Sequence, residues 1–285
     1  MGFSYKMKVI DCFLFFNEIE LLKLRLKELS EVVDHFVLVE AKRSFSNRKK
    51  QLFFEDRKDE FSQYSSKITH LITPNPPGNA FWRSKRRSAW KRQEFQRNYL
   101  SYGIRKLKPE KQDLILLSDV DEIFDSNTLN ELKENSFSGM ANFEQDLYYY
   151  DHTCRNNEKW TLPLVSSFDA LMPHIKSLHR LRIERSTMSN IQIIKKGGWH
   201  FSYFGGVDAI LNKLQNLSAH TEINTPEISN PNSIRRLVKE RKDILLRGEA
   251  ESFEYVAPEN NRYLPQNIDV LLPQYRNPNS SERDT

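Results

Sequence analysis

Leu114-Ile115-Leu116-Leu117-Ser118-Asp119-Val120-Asp121-Glu122 opens on four large aliphatic side chains and closes on three acids. An apolar run without polar alternation suits a strand covered on both faces, as in a parallel sheet. Asp113 to Leu117 is therefore expected as a buried strand that delivers Ser118 to Glu122 at its carboxyl end. In open parallel sheets that end is where ligands bind. Side chains two apart in extended backbone face the same way, so Asp119 and Asp121 are expected to share one cation. Hard carboxylate oxygens suit Mg2+ or Mn2+, which in turn binds a nucleoside diphosphate.

Towards the N-terminus the same pattern repeats. Lys8 to Phe16 is a continuous apolar run, and Ile19, Leu22, Leu26 and Leu29 then recur at helical spacing behind a capping-box pair, Asn17 and Glu20. Asp34 to Glu40 and Lys67 to Ile72 read as two further strands. Strands alternating with helices imply parallel pairing and right-handed crossovers. Asn17, Glu40, Asp119 and Asp121 all fall at strand carboxyl ends. Glu40 is expected either to accept hydrogen bonds from a nucleoside or to cap a helix. Three prolines between Thr73 and Asn79 break regular structure, and a basic helix from about Trp82 to Leu107 follows. Phe95, Tyr99 and Tyr102 share one side of it and are expected to dock on the sheet, with the arginines pointing elsewhere. Asp125 to Asn135 reads as a short helix.

Downstream of Met140 the chain becomes aromatic-rich, with Leu147 to Tyr150 and Trp160 to Phe168 as strands. Gly197 to Gly206 reads as a glycine-bracketed loop, and its His200 is the candidate third metal ligand. Val207 to Leu217 and Ser233 to Arg247 are expected as helices, and Pro273 to Thr285 as a frayed tail. The sum is an α/β fold with a mixed, mostly parallel sheet flanked by helices, a single domain with a C-terminal helical appendage.

No stretch approaches the roughly 20 apolar residues of a membrane helix, and the first residues lack a secretory signal, so a cytoplasmic protein is expected. Cys12 and Cys154 belong to no metal-spaced cluster and are expected to be structural. The net charge of +5 is concentrated between Arg83 and Arg97, where seven basic side chains face a single acid, Glu94. That run fits a solvated helix face, a phosphate-bearing ligand or peripheral contact with an anionic membrane. With Trp82 and Trp90 interleaved it also allows a nucleic-acid-binding module, which would leave the Asp-Val-Asp strand unexplained. A haloacid-dehalogenase-type phosphatase also uses Asp-x-Asp after an apolar strand, but on its first strand and with Thr or Val where this chain has Ile123.

Taken in order, KVIDCFLFFNEIELLKLRLKEL, VVDHFVLVE, EFQRNYL, LILLSDVDEI and GGWHFSYFGG resemble glycosyltransferase family 17, the β-1,4-mannosyl-glycoprotein β-1,4-N-acetylglucosaminyltransferases, over about Met7 to Glu222. The resemblance implies a GT-A (Rossmann-like) fold, an inverting mechanism, a UDP-sugar donor of N-acetylglucosamine or a related hexose, an oligosaccharide or glycoconjugate acceptor, and Mn2+ or Mg2+ held by the acidic motif. It divides the chain into a glycosyltransferase domain at 7–222 (nucleotide half about 7–125, acceptor half about 140–222), a helical extension at 223–272 and a flexible tail at 273–285. Asp119 and Asp121 match the acidic motif, with His200 beside them as metal ligand; Trp199 matches the glycine-tryptophan-histidine segment at the cofactor. Arg97 matches a basic helix position near the diphosphate, where Arg83 or Arg87 would assist it. Phe201-Ser202-Tyr203-Phe204 replaces the cysteine and tryptophan of the animal enzymes, which leaves the acceptor open. A single displacement needs an acceptor-side base from Glu144, Asp146, Asp151 or Asp169. Asp151, which follows three tyrosines, is the chosen candidate.

Overall fold

The computed structural model describes residues 6–75, 85–188, 190–216, 230–245 and 253–271. The N-terminal half runs β1 (Val9–Leu14), α1 (Ile19–Leu29), β2 (His35–Ala41), a short α2 (Phe53–Asp56), β3 (Ile68–Thr73), α3 (Lys85–Lys106) and β4 (Leu114–Asp119). Its four strands pair in parallel in the order β3-β2-β1-β4. Strand β1 shows why they are legible as continuous apolar runs: Val9 and Phe13 pack with Leu22, Leu26 and Leu29 of α1, while Ile10, Cys12 and Leu14 pack with Leu100 and Ile104 of α3. Both faces are covered, so neither register of side chains has to be polar. The chain leaves β1 towards β2 over one face and reaches β4 from β3 over the other. The carboxyl ends of β1 and β4 therefore diverge at a switch point.

The second half adds β5 (Glu122–Phe124), α4 (Ser126–Glu134), β6 (Met140–Phe143), β7 (Gln145–Tyr149), β8 (Cys154–Trp160), β9 (Leu164–Ser167), α5 (Phe168–Leu171), α6 (Leu178–Ser186), β10 (Ile193–Ile194), β11 (Gly198–Ser202), α7 (Gly206–Asn216), α8 (Pro231–Lys239) and β12 (Phe253–Tyr255). Strand β9 joins β4 antiparallel, β6 joins β9 antiparallel and β10 joins β6 in parallel, which extends the first sheet to seven strands. The others form a second sheet, β12-β8-β7-β11-β5. Helix α1 lies between the two sheets. Its Leu22 and Leu26 face the first, and its Leu21 and Leu24 meet Ile123, Tyr148, Trp199 and Phe201 of the second. A helix buried on two sides carries apolar residues nearly all round, as α1 does.

Several expectations need correcting. Helix α3 docks mainly through a neighbouring face: Arg92, Gln96, Arg97, Leu100 and Ile104 are buried, while Phe95, Tyr99 and Tyr102 stack side by side, Tyr99 half-buried against the core and Tyr102 64% exposed. Gly103 permits this closeness, because a Cβ there would stand 2.3 Å from Val37 Cγ1. Residues 198–202 are a buried strand rather than a loop. Gly198, at φ +122°, lets β11 approach β5 so tightly that a Cβ would meet the Ile123 carbonyl at 2.1 Å. No Asn17–Glu20 box forms; the Glu18 carboxylate instead accepts from the N–H groups of Phe16 and Asn17. Asp125 does cap α4, accepting from Thr128 N–H at 2.8 Å. After α8 the described chain holds β12, which pairs β8, and two short 3-10 turns at Pro258–Asn260 and Ile268–Val270, with Tyr263 between them seated on Trp199. Arg83, most of the proline segment and the tail at 273–285 lie outside the described residues, and of Arg87 only the helical backbone is described.

Candidate active site

Beneath the β4–β5 turn lies the residue that fixes it. Arg25, on α1, is fully buried and uses both ends of its guanidinium: Nε and Nη2 clasp Asp11 on β1 at 2.7 and 2.6 Å. Nη2 also donates to Ser118 Oγ, and Nη1 donates to the carbonyls of Asp119 and Glu122 at 3.0 and 2.7 Å. A planar fork with five donors suits this; an ammonium would not span it. Glu122 completes the clamp. Its carboxylate accepts from the Asp119 N–H, from Trp160 Nε1 at 2.7 Å and from both terminal nitrogens of Arg182 on α6.

The turn held in this way borders a cavity of about 240 Å³ at the carboxyl ends of β1 and β4. Asp119, Asp121, Glu122 and His200 all line it, with Phe16, Phe45 and Trp90 as aromatic walls and Lys50 and Lys213 as cations. Asp119 and Asp121 share the cavity because the chain turns between them, not because a strand alternates; Val120 between them packs into the core. Asp119 is bound by Arg97 Nη2 at 2.7 Å and Arg182 Nη2 at 3.4 Å. Burial disfavours its charge, yet the two guanidiniums prevail and its pKa is lowered. Asp121 accepts from Lys213 Nζ at 2.6 Å and lies 3.5 Å from His200 Nε2. There too burial opposes the charge, and Lys213 and His200 outweigh it and hold the carboxyl well below its usual range. His200 rests against the Trp160 ring at 4.6 Å, and its Nδ1 is buried without a hydrogen-bond partner among the described residues.

Of the three expected metal ligands, two form a pair. A carboxylate and an imidazole nitrogen 3.5 Å apart on a cavity wall suit a divalent ion. Asp119 does not complete a preformed triad, because arginines hold its oxygens. Among the described residues no group of three His, Cys, Asp or Glu side chains is arranged as a metal cluster.

Four other expectations are corrected by position. Arg97 is buried behind Asp119 and does not line the cavity; its Nε and Nη1 are buried without hydrogen-bond partners among the described residues. It acts as a fixed counter-charge to Asp119. Glu40 is wholly buried behind the wall, where it meets Lys50 Nζ, the Phe54 N–H and His70, so it positions Lys50 instead of meeting a nucleoside. Trp199 is core: its ring lies on Tyr263 and its Nε1 donates to the Tyr263 carbonyl at 3.0 Å. Asp151 occupies the β7–β8 turn, accepts from Thr153 N–H and Oγ1, and lines no part of the cavity. An aspartate two residues before a threonine closes a tight turn on its own backbone. The basic run is likewise not one exposed stripe, since Arg92 and Arg97 point inward.

The sequence reading missed Arg25, Arg182, Lys213, Lys50 and Trp160. Glu122 had a signal, as the acid directly following Asp-Val-Asp. The others meet their partners only through tertiary packing.

A model of glycosyltransferase family 17 matches residues 2–282. No curated protein matches the chain significantly. Solved structures similar to it include HddC from Yersinia pseudotuberculosis, 12% identical over 66% of this chain and 90% of that one, with a TM-score of 0.39. The inositol-1-phosphate CTP transferase from T. maritima is 11% identical over 78% and 99%, with a TM-score of 0.39. Mouse xyloside xylosyltransferase 1 in its apo form is 11% identical over 58% and 68%, with a TM-score of 0.28. No helix among the described residues is long and apolar enough to cross a membrane.

Proposed function

We propose, since the chain belongs to glycosyltransferase family 17, that this glycosyltransferase takes a UDP-sugar, of N-acetylglucosamine or a related hexose, into the cavity at the β1–β4 switch point and passes the sugar to a hydroxyl of an oligosaccharide or glycoconjugate. The observation that carries this reading is the company kept by Asp121: a carboxylate on a cavity wall, beside an imidazole and an ammonium, in a cavity that Lys50 and several aromatic rings also line. Acids, cations and flat apolar walls are what a nucleoside diphosphate needs from a GT-A-type site.

Each group has a separate task. Phe16, Phe45 and Trp90 offer rings to the pyrimidine, and Lys50, held by Glu40 and by the carbonyls of Phe16 and Gln51, offers its ammonium to the phosphates. Asp121 and His200 would hold Mn2+ or Mg2+, and Lys213 would then be released from Asp121 towards the phosphates. When bound, the ion supplies positive charge to the departing diphosphate. Asp119, fixed by Arg97 and Arg182, accepts hydrogen bonds from donor hydroxyls. Transfer is a single displacement with inversion, which requires a base on the acceptor side.

The test is a thermal-shift panel of UDP-, GDP- and dTDP-sugars, with and without Mn2+, on the full-length protein. A UDP-sugar is expected to raise the melting temperature, and Mn2+ to enlarge that rise, because a ligand of the native state stabilises it. No shift with any nucleotide sugar would refute the reading.

A further inference from the structure

A second cavity, of about 300 Å³, adjoins the first. The two have only Glu18 and Lys213 in common, so these side chains form the seam. The new cavity lies beyond the N-terminus of α1, against α7. Phe53 and Phe204 give it apolar walls, and Asn17, Glu20 and Arg57 put an amide, a carboxylate and a guanidinium at its edges. Flat rings against C–H faces, with polar groups at the edge for hydroxyls, are the chemistry that binds a pyranose and leave little for a charged nucleotide.

Glu18 stands between the cavities in a fixed attitude. Its Oε2 accepts from two consecutive backbone N–H groups, those of Phe16 and Asn17, at 3.3 and 3.0 Å. Among the described residues Oε1 has no hydrogen bond given to it. The ammonium groups of Lys50 and Lys213 lie within its electrostatic reach. One oxygen anchored and the other turned to the seam is the arrangement a proton acceptor needs.

We propose that the second cavity is the acceptor subsite, taking a neutral pyranose of the glycan, and that Glu18 is the base that removes the proton from its attacking hydroxyl. The acceptor oxygen forms a bond to the anomeric carbon as the bond from that carbon to the diphosphate oxygen breaks. The bonding pair leaves with the diphosphate, and the hydroxyl proton passes to Glu18, which returns it to water. This inference rests on the donor reading above, and the experiment keeps the two apart.

The full-length protein is given the UDP-sugar that shifts its melting temperature, together with methyl glycosides of glucose, galactose, mannose and N-acetylglucosamine, and glycoside contact is read by saturation-transfer NMR. Ala209 lines only the second cavity, so Ala209→Trp fills it from α7. At least one glycoside is expected to bind the wild type and to lose about tenfold or more in affinity in Ala209→Trp, while the UDP shift persists. A UDP shift without glycoside contact, or contact unchanged by the tryptophan, overturns the subsite; a missing UDP shift overturns the donor reading instead. Glu18→Gln keeps an oxygen for the two backbone donors, so the loop is retained. Its transfer rate is expected to fall about 10²–10⁴-fold at unchanged donor KM, with partial recovery in Glu18→Asp. A Glu18→Gln enzyme with close to the wild-type rate overturns the role of the base.

Discussion

Arg25–Asp11 and Lys213–Asp121 are ion pairs of the same length, 2.6 Å, on opposite sides of the β4–β5 turn, and they do different work. In the first, both side chains are wholly buried, the acid is gripped at both oxygens, and every guanidinium N–H group has an acceptor. The second borders a cavity. Its ammonium has a single hydrogen-bonding partner among the described contacts and otherwise faces the Tyr203 ring, and the neighbouring histidine keeps an unpartnered nitrogen. A saturated pair cannot exchange partners without losing structure, whereas a pair with spare valence on a cavity wall can take a ligand. Spare valence at a cavity wall distinguishes the Lys213–Asp121 pair from the Arg25–Asp11 rivet.

The sharpest way to break this comparison is to cut each pair. Arg25→Met leaves Asp11 buried without a counter-charge and frees the Asp119 and Glu122 carbonyls and the Ser118 hydroxyl around the turn, so a loss of about 3–5 kcal/mol is expected in urea unfolding. Asp121→Asn should cost only about 1 kcal/mol, because the cavity lets water reach the released ammonium. Equal midpoint shifts in the two variants would erase the distinction. Function should invert the order. Asp121→Asn is expected to lower transfer about 10²–10³-fold and to abolish the extra thermal shift given by Mn2+.

A smaller effect follows for Lys213. Its ammonium occupies the Asp121 oxygen that faces His200, so a divalent ion must compete with it. Lys213→Met is expected to tighten Mn2+ binding to the nucleotide-free protein by about tenfold, or about 1.4 kcal/mol, in a calorimetric titration. An unchanged affinity would mean that the ion binds elsewhere.

The same contrast explains what the sequence disclosed. Strands β1, β2 and β4 were legible because burial on both faces writes itself as apolar runs, whereas β3, ITHLIT, is a half-buried edge strand marked by its β-forming residues. The second sheet was harder to read: Cys154–Trp160 is CRNNEKW, a polar stretch near the edge, and Gly198–Ser202 hides between glycines that suggest a loop. Asp119 and Asp121 stand out in the sequence because acid spacing at a strand end has a meaning in one dimension, and His200 because glycines bracket its segment; the structure places all three on the wall of one cavity. Arg25, Arg182 and Lys213 carry no such sign. Lys213 meets Asp121 across 92 positions and Arg182 meets Glu122 across 60, and only the packing of α7 and α6 brings them together. Arg97 lies on the buried side of α3, a placement that its charge and the aromatic residues beside it do not announce in the sequence.

The smallest effect concerns the far side of Asp119, where α6 packs on α3. His179, in the first turn of α6, has its N–H held by Asn98 Oδ1 at 3.0 Å and its Nδ1 buried without a partner. Burial, and after it the Arg97 charge, lowers its pKa to about 4 from an ordinary 6.5. Below pH 6.5 the unfolded chain therefore takes up a proton that the folded chain refuses, so stability falls as the pH drops to about 4 and the slope ends there, where both states are charged. Asp119 works in the adjoining window with a different limit. Its folded pKa lies below the ordinary 3.8, so its contribution is whole above that value and is lost only as the pH falls further. His179→Asn should flatten the decline in urea midpoint between pH 6.5 and about 4 and leave the loss below it intact. If the decline keeps its slope in the variant, His179 exchanges its proton as freely in the folded chain as in the unfolded one, and Arg97 exerts no hold beyond Asp119.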